Sequence, residues 1–441
     1  MPQHHGPPPH WTPDEQRLWH AYRRGERLDL RGTDPQPEVR AEALTHLLVD
    51  PPPAEAGRVA RLDLVGARVT GALDLTGARI GVPVKLLECA FEERVRLDYA
   101  EVTWWNLDGS RLPGLDGEGL RVGLWLGLRD AVVEDELWLH DARISGGLDL
   151  SRSTLRGADG FALMGKQMVV DGGLRAQGLC AKGALLLSRT RVAGTLDLTG
   201  ARLTATDRAP GRGAADLEDL HARRLVLNLH PDSTGVIGLA SAELGTLVAD
   251  PSRWPVGCAV DLTAAAFTGL EPTAAPARAR LAWLAGHLTA PSPAVHTRVA
   301  AAYRQAGREQ AAREVLIHRE RLRHRALHLP GRVWGRLLEA VIGYGYRPAR
   351  ALLWLLLLLA VGTAYFAVAG PPRPTSPGGG PAWDPLLYVI DLVVPFLSLG
   401  QRAAWDPSGA AKGAALALTV AGWVLATAVA GGAARMLNRS P

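Results

Sequence analysis

Few side chains in this chain combine the types and the spacing that redox or metal chemistry needs. The three cysteines, Cys89, Cys180 and Cys258, lie far apart and form no Cys-x-x-Cys pair. This spacing argues against a disulfide framework, a thiolate zinc site and a thioredoxin-like redox centre. We therefore expect three buried free thiols, which pack as small hydrophobic side chains.

The histidines and the one glycine-rich segment give no clear site for a metal or a cofactor. His4, His5 and His10 lie in a Pro/His-rich tail, where flexible neighbours without an ordered fourth ligand make a weak metal site. The segment GRGAAD at 211–216 lacks the spacing and the strand–turn–helix context of a dinucleotide-binding loop. The sequence therefore predicts no catalytic residue, no cofactor and no metal.

The candidate functional loop is Asp391, Pro395 and Gln401. The first two interrupt the apolar stretch PLLYVIDLVVPFLSLG at 385–400, which is shorter than a membrane span, and the third follows it. This stretch reads as a re-entrant or interfacial segment. An acid in such a segment is a functional candidate by default, although Asp391 could also face an aqueous boundary.

On either side of this loop lie two uncharged apolar runs. They cover 351–369 and 413–434, lengths of 19 and 22 residues. At about 1.5 Å per residue the shorter run is about 28 Å long, which matches a hydrocarbon core. The sequence thus predicts two transmembrane helices, a lipid bilayer as partner, and a homo-oligomer formed through the spans as a further option.

Arginine distribution sets the expected orientation. Arginines are dense before the first run and recur after the second, while the connecting loop has few. The positive-inside rule then predicts a multi-pass protein of the plasma membrane with both termini cytoplasmic. The residues expected at the membrane interface are Tyr344, Tyr346, Arg347 and Arg350.

Those interface residues belong to VIGYGYRPAR, 341–350, whose Gly-Tyr-Gly resembles the filter of potassium channels. A filter must lie between the spans, whereas this stretch precedes the first, so we interpret it as an elbow. The order of span, re-entrant segment and span is similar to that of two-helix channels. The loop offers Ser-Leu-Gly-Gln at 398–401, which is no carbonyl ladder. A channel-like protein with a cytoplasmic regulatory domain stays an alternative.

The most regular feature is a repeat of 11 residues. It is seen in RLDLVGARVTG (61–71), ALDLTGARIGV (72–82) and PVKLLECAFEE (83–93). In each unit Leu-x-Leu reads as a short strand, the next glycine permits a turn, and Ala-x-Ile reads as a second strand. Two units then make one coil of a β-solenoid that covers 57–270.

The units LDLTG and ARIGV are similar to pentapeptide repeats with one extra residue per pair. That resemblance implies a right-handed parallel β-helix of quadrilateral section. The organisation of the whole chain also resembles actinobacterial proteins labelled membrane-associated oxidoreductases. This label implies an oxidoreductase as a second alternative, although no residues here carry that chemistry.

The remaining segments complete a mainly β fold class: a right-handed parallel β-helix of 11-residue half-coils with N-terminal capping helices, an α-helical neck and two C-terminal transmembrane helices. The expected parts are a disordered tail at 1–13, capping helices at 14–56, a basic helical neck at 276–346 and a membrane module at 347–441.

The side chains that point outward from the predicted solenoid form the surface that a partner would contact. Two rows of outward charges, Asp63, Asp74, Asp149 and Asp197 on one face and Arg68, Arg79 and Arg202 on the next, favour a solvated surface with ion pairs between coils. A binding face for a charged ligand is the alternative. Trp104, Trp105, Trp125 and Trp138 are candidates for an interaction patch, or for stacking within the solenoid. We predict a non-enzymatic, membrane-anchored cytoplasmic scaffold or sensor that binds another protein, and not nucleic acid, through the solenoid surface.

Overall fold

The computed structural model describes residues 6–32, 36–204, 213–325, 348–375, 381–394 and 396–437. The chain divides into two compact units, Met1–Ala312 and Arg313–Pro441. Each unit is described by itself.

The first unit consists mainly of short strands. Those of its first half are β1 (Leu28–Asp29), β2 (Glu38–Arg40), β3 (Leu62–Val65), β4 (Arg68–Thr70), β5 (Arg79–Ile80), β6 (Val84–Leu87), β7 (Ala90–Phe91), β8 (Val95–Arg96), β9 (Glu101–Asn106), β10 (Arg111–Leu112), β11 (Leu115–Asp116), β12 (Arg121–Gly127), β13 (Val132–Val133) and β14 (Leu137–Trp138). Those of its second half are β15 (Arg143–Ile144), β16 (Gly147–Asp149), β17 (Thr154–Met164), β18 (Val169–Val170), β19 (Leu174–Arg175), β20 (Cys180–Leu186), β21 (Arg191–Asp197), β22 (Arg202–Thr204), β23 (Ala215–Asp216), β24 (His221–Val226), β25 (Gly235–Gly238), β26 (Glu243–Val248), β27 (Cys258–Asp261) and β28 (Ala266–Glu271).

These strands form a parallel β-solenoid of about nine turns. Two sheets run along it. Sheet A follows the order β1-β3-β6-β9-β12-β15-β18-β21-β24-β26-β28, and sheet B the order β2-β4-β7-β10-β13-β17-β20-β23-β25-β27. One coil contributes four short segments: β3 and β5 to sheet A, and β4 and the bridge from Asp74 to Arg96 to sheet B. The predicted β-solenoid is thus confirmed, while its handedness stays a prediction.

The core is a set of stacked apolar columns. In sheet A, Leu62 pairs with Val84, Val84 with Trp105 and Trp105 with Leu126, each about one coil further along the chain. All four side chains are fully buried. Strand residues alternate between the two faces of a sheet, so every second position in each segment joins such a column. The predicted 11-residue half-coil therefore corresponds to two sides of one coil.

Corners of the coil recur about every 11 residues with a positive φ. Gly66, Gly77, Glu88 and Tyr99 are four successive corners, with φ of 77°, 68°, 51° and 57°. Glycine adopts this left-handed region without strain. In other residues the Cβ atom then lies too close to the following carbonyl oxygen. The repeated turn between Leu-x-Leu and Ala-x-Ile has this geometry.

The N-terminal end of the solenoid is closed by α1 (Pro13–Arg24) and α2 (Ala41–Val49). The predicted capping region, 14–56, also supplies β1 and β2, which extend both sheets by pairing with β3 and β4. Glu15 is fully buried and its carboxylate accepts hydrogen bonds from the side chain of Arg40 at 2.7 and 2.9 Å. Trp11, within the predicted disordered tail, is buried against His46.

The C-terminal end of the solenoid is covered by helices from the predicted neck. They are α3 (Ala277–His287) and α4 (Pro293–Gln305), followed by α5 (Glu309–Arg325), which continues into the second unit. The Tyr303 hydroxyl donates to the carbonyl oxygen of Ala275 at 3.0 Å. Arg280 is fully buried and donates to the carbonyl oxygens of Ala249 and Pro272. This part of the neck therefore caps the last coil.

The second unit contains short pieces between two long helices. Its elements are α6 (Pro348–Ala369), α7 (Pro385–Val393), α8 (Gln401–Ala404), α9 (Ala410–Leu437) and the antiparallel pair β29 (Arg373–Pro374) and β30 (Trp405–Asp406). Its core joins Phe366, Tyr388, Val389, Leu392 and Ala415.

The two predicted transmembrane helices are wrong, and the multi-pass assignment built on them has no support in the described helices. In the part of the chain that the structure describes, no helix has both the length and the apolar character needed to cross a membrane. The segments 351–369 and 413–434 do lie in α6 and α9. However, an uncharged run predicts only an apolar helix, which can also bury side chains against its neighbours, as Phe366 does against Tyr388.

Candidate functional site

A concave surface of the solenoid lies on the outer face of sheet A, towards its C-terminal end. It crosses β18, β21, β24, β26 and β28 and encloses about 670 Å³. We call it the groove. Its lining residues are Val169, Val170, Asp171, Arg191, Val192, Ala193, His221, Ala222, Arg223, Glu243, Leu244, Gly245, Ala266, Phe267 and Thr268.

Small outward side chains create the groove. Ala193 and Ala266 occupy outward positions where longer side chains would fill it, and a Cβ on Gly245 would collide with the carbonyl oxygen of Arg223 in the coil before. The coils also approach closely at Gly194 in β21, because a Cβ on this residue would lie 2.7 Å from the carbonyl oxygen of Gly172 in the coil before. The backbones therefore approach closely, and a ligand could contact the sheet surface itself.

One outward column carries most of the charge in the groove. It runs from Arg143 through Val169, Arg191 and His221 to Glu243, which are direct neighbours in the parallel register. The Nε2 of His221 lies 3.1 Å from the Glu243 carboxylate, and its Nδ1 lies 3.0 Å from the carbonyl oxygen of Asp219. His221 and Glu243 are therefore partners of each other. The arginines of the column stay available to bind a ligand.

The same column is neutralised in the earlier coils. There Glu101 stands between two arginines, 3.3 Å from Arg79 and 3.0 Å from Arg121. Within the described residues, Arg143, Arg191 and Arg223 make no ion pair, and all three side chains are exposed. The transition from paired to unpaired arginine coincides with the beginning of the groove.

A second cavity of about 640 Å³ adjoins the groove at the coil corner. It shares Val169, Arg191 and His221 with the groove and adds Arg143. Its other lining residues are Asp141, Gln167, Arg189 and Asp219, which all have positive φ. Together the two cavities form one concave surface with an apolar floor and an arginine-bearing edge.

The structure brings Asp391 and Gln401 of the predicted functional loop together. The two oxygens of Asp391 accept hydrogen bonds from the backbone N–H groups of Leu399, at 3.0 Å, and Arg402, at 2.8 Å. The Gln401 amide donates to the carbonyl oxygen of Ala382 at 2.8 Å. Both side chains are buried, so these contacts hold the loop between α7 and α8 in place.

The other predicted site residues cannot be placed in this way. Tyr344, Tyr346, Arg347 and Pro395 lie outside the described residues. Arg350 lies in α6, and its side chain is also outside the described part. In the GRGAAD segment, Ala214 and Ala215 are buried, and Ala215 begins β23.

The cysteines have the surroundings of core residues. Cys89 and Cys258 are buried, and burial raises the pKa of each thiol to about 11. Cys180 is half-buried in β20. Among the residues that the structure describes, no three His, Cys, Asp or Glu side chains are grouped so that they could hold a metal ion.

The four tryptophans do not make one patch. Trp105 is buried in the core, and Trp138 belongs to sheet B. Only Trp104 and Trp125 are neighbours on the outer face of sheet A, where the guanidinium of Arg175 lies 5.3 Å from the Trp125 ring centroid. The contact of Arg175 with Trp125 is a cation–π contact within the solenoid, and the interaction patch stays a prediction.

The predicted ion pairs between coils are present. Arg94 bridges Asp116 and Asp135 at 2.7 and 2.6 Å, and Arg152 contacts Asp130 at 2.6 Å. Two of the aspartates that were expected in solvent, Asp63 and Asp149, are instead nearly buried. Asp63 is neutralised by Arg27 at 2.9 Å.

Sequence reasoning missed the groove itself. Its signal was present as small residues at outward positions, Ala193, Gly245 and Ala266, beside arginines without an acid one coil away. The signal becomes readable only when the strand register is known. Comparison of the chain with protein-family models, with curated proteins and with solved structures finds no match.

Proposed function

We propose that this protein is a non-enzymatic scaffold that binds another protein in the groove of its β-solenoid. The observation that carries the proposal is the coincidence of a concave, small-residue surface with arginines that pair with no acid among the described residues. Elsewhere the exposed arginines of the solenoid commonly pair between coils, as Arg121 and Arg152 do. Unpaired charge beside an open apolar floor is typical of a binding surface.

The solenoid suits such a role because of its rigidity. Continuous parallel ladders connect its coils, and both ends are capped, by α1 and α2 on one side and by α3 and α4 on the other. Repeat proteins of this kind present extended surfaces without a large conformational change. A partner would therefore meet a preformed site.

Filling the groove tests the proposal. The outward residue Ala193 is changed to Trp in the full chain, and proteins retained from native lysate are compared with those on the wild-type protein. We expect the loss of one or more partners, because an indole ring would occupy the floor. The matched control is Ala72→Trp, an exposed alanine in an early coil outside the groove. Equal partner sets for both variants would contradict the proposal.

A second candidate property is self-association through the second unit, which extends the predicted homo-oligomer. It is favoured by exposed apolar side chains on the two long helices, among them Leu353 at 68%, Val368 at 90% and Leu416 at 67% exposure. Exposed large apolar side chains concentrated on two helices favour association with another apolar surface. Light scattering should show a lower mass for Val368→Asp/Leu416→Asp than for wild type, and an unchanged mass would refute it.

We further propose that the solenoid is of the pentapeptide-repeat-like type. The four short segments in one coil support this proposal. The plasma-membrane location and the bilayer as partner stay predictions from the sequence. The channel-like and oxidoreductase alternatives also stay predictions, and no contact in the described residues favours either of them.

A further inference from the structure

The arginines at the edge of the groove stand at a spacing that an extended chain can match. Arg143 and Arg191 are separated by two coil steps, with Val169 between them in the same column. Adjacent parallel strands lie about 4.8 Å apart, so two steps are about 10 Å. In a polyproline II segment, which has three residues per turn and a rise of about 3.1 Å per residue, residues three apart lie on the same side and about 9 Å apart. Two acidic side chains at such positions could each meet one arginine.

The surroundings restrict where those acids can lie. His221 is already paired with Glu243, and the exposed Asp171 lies in the next outward column, where it would repel a second carboxylate. The neighbouring Ala193 and Ala266 leave room for an uncharged side chain. Acidic side chains of a ligand are thus favoured at the positions that face Arg143 and Arg191. Apolar side chains are favoured at the positions that face the floor of the groove.

Resting on the proposed function, we propose that the partner presents an acidic segment in the polyproline II conformation, with two carboxylates three residues apart that bind Arg143 and Arg191 while apolar side chains cover Val169 and Ala193. Guanidinium and carboxylate form paired, charge-assisted hydrogen bonds, which give geometric selectivity over a single positive charge. Because this edge of the groove is exposed, salt should weaken the contact.

The test uses the full chain and three labelled synthetic peptides in fluorescence anisotropy. The peptides share one proline- and valine-containing sequence and carry, three positions apart, two glutamates, two glutamines or two lysines. We expect the glutamate peptide to bind at least about tenfold more tightly than the other two, and its affinity to fall with salt. The double variant Arg143→Gln/Arg191→Gln should lose this preference. Arg129→Gln, at an exposed arginine outside the groove, should keep it.

The outcomes separate this inference from the proposed function. Equal binding of all three peptides, abolished by Ala193→Trp but not by the double variant, would overturn the acidic partner and leave the groove as a binding surface. Absence of glutamate-peptide binding would also overturn the acidic partner. Loss of lysate partners in Ala193→Trp would still uphold the scaffold in that case. Unchanged thermal unfolding of each variant confirms that the effects are local.

Discussion

Ten corner residues other than glycine have φ between 51° and 60° in the described coils. Ala264, with φ 54°, is one of them, and its side chain is exposed. An L-residue in this region costs roughly 1–2 kcal/mol relative to the right-handed form. Glycine avoids this cost but also gives the unfolded chain more freedom. The corners therefore contain strain that substitution can relieve.

We predict that Ala264→Gly raises the free energy of unfolding by about 0.5–1 kcal/mol, because relief of the left-handed strain exceeds the added chain entropy. Ala265→Gly is the matched control: it is adjacent, buried and outside the positive-φ set. It should lower the free energy of unfolding. Chemical denaturation of both variants measures the difference, and a loss of stability in Ala264→Gly would show that the corner is not strained.

Glu15 makes the stability of the folded state depend on pH. Burial acts to raise its pKa, but the hydrogen bonds and positive charge of Arg40 and the backbone N–H of Thr12 outweigh it, so its pKa lies below the ordinary value. A depressed carboxyl pKa stabilises the folded state above the unfolded pKa of about 4.3 and ceases to do so as pH falls through the folded pKa. The Tm should therefore fall on acidification below about pH 4.3.

Glu15→Gln tests this dependence. At neutral pH the variant should be less stable, because Arg40 loses its anionic partner. Its Tm should also fall less than that of wild type between neutral and acid pH. Parallel Tm–pH curves for the two proteins would mean that Glu15 contributes nothing to the acid sensitivity.

At the scale of elements, the C-terminal cap depends on one buried cation. Arg280 is fully buried, and burial lowers its pKa, yet it joins α3 to the last coils through carbonyl oxygens of Ala249 and Pro272. We predict that Arg280→Met lowers the free energy of unfolding by about 1–3 kcal/mol, because buried carbonyl groups lose their donors. Arg278→Met, at an exposed position on the same helix, should change it by less than about 0.5 kcal/mol. Equal effects would show that Arg280 does not hold the cap.

The solenoid was predictable because its period is short and its inward residues are apolar. Leu62 and Val84 share a column in the structure as they do in the repeat. The N-terminal strands were harder to predict from the sequence. The segment 38–49 has the pattern of one helix, but Glu38–Arg40 pairs with β4 and the helix begins at Ala41. Backbone pairing at an open sheet edge outweighs local helix propensity there.

The groove was harder to predict for a related reason. From Leu148 to Leu174 and from Leu196 to Leu225 the coil is longer than the regular repeat, so outward positions cannot be counted from the period. Arg143 and Arg191 thus appear unrelated in the sequence and become neighbours of Val169 only through register. Apolarity also misled in the second unit, where uncharged runs predicted spans that the described helices do not provide.

At the scale of the whole molecule, the first unit is a capped solenoid with one concave, arginine-edged face, and the second is a set of helices with its own core. Their separate cores imply separate roles: partner binding in the first unit and self-association in the second are independent proposals. A variant that abolishes one should leave the other unchanged.

The central claim is that a partner protein occupies the groove, and site-specific photo-cross-linking in cells tests it most directly. A photoreactive phenylalanine analogue is placed at Ala193 in one variant and at the exposed Ala72 in another. We predict a discrete cross-linked adduct from position 193 that disappears in the Arg143→Gln/Arg191→Gln background, and none from position 72. Adducts of equal yield from both positions, or from position 72 alone, would contradict the account.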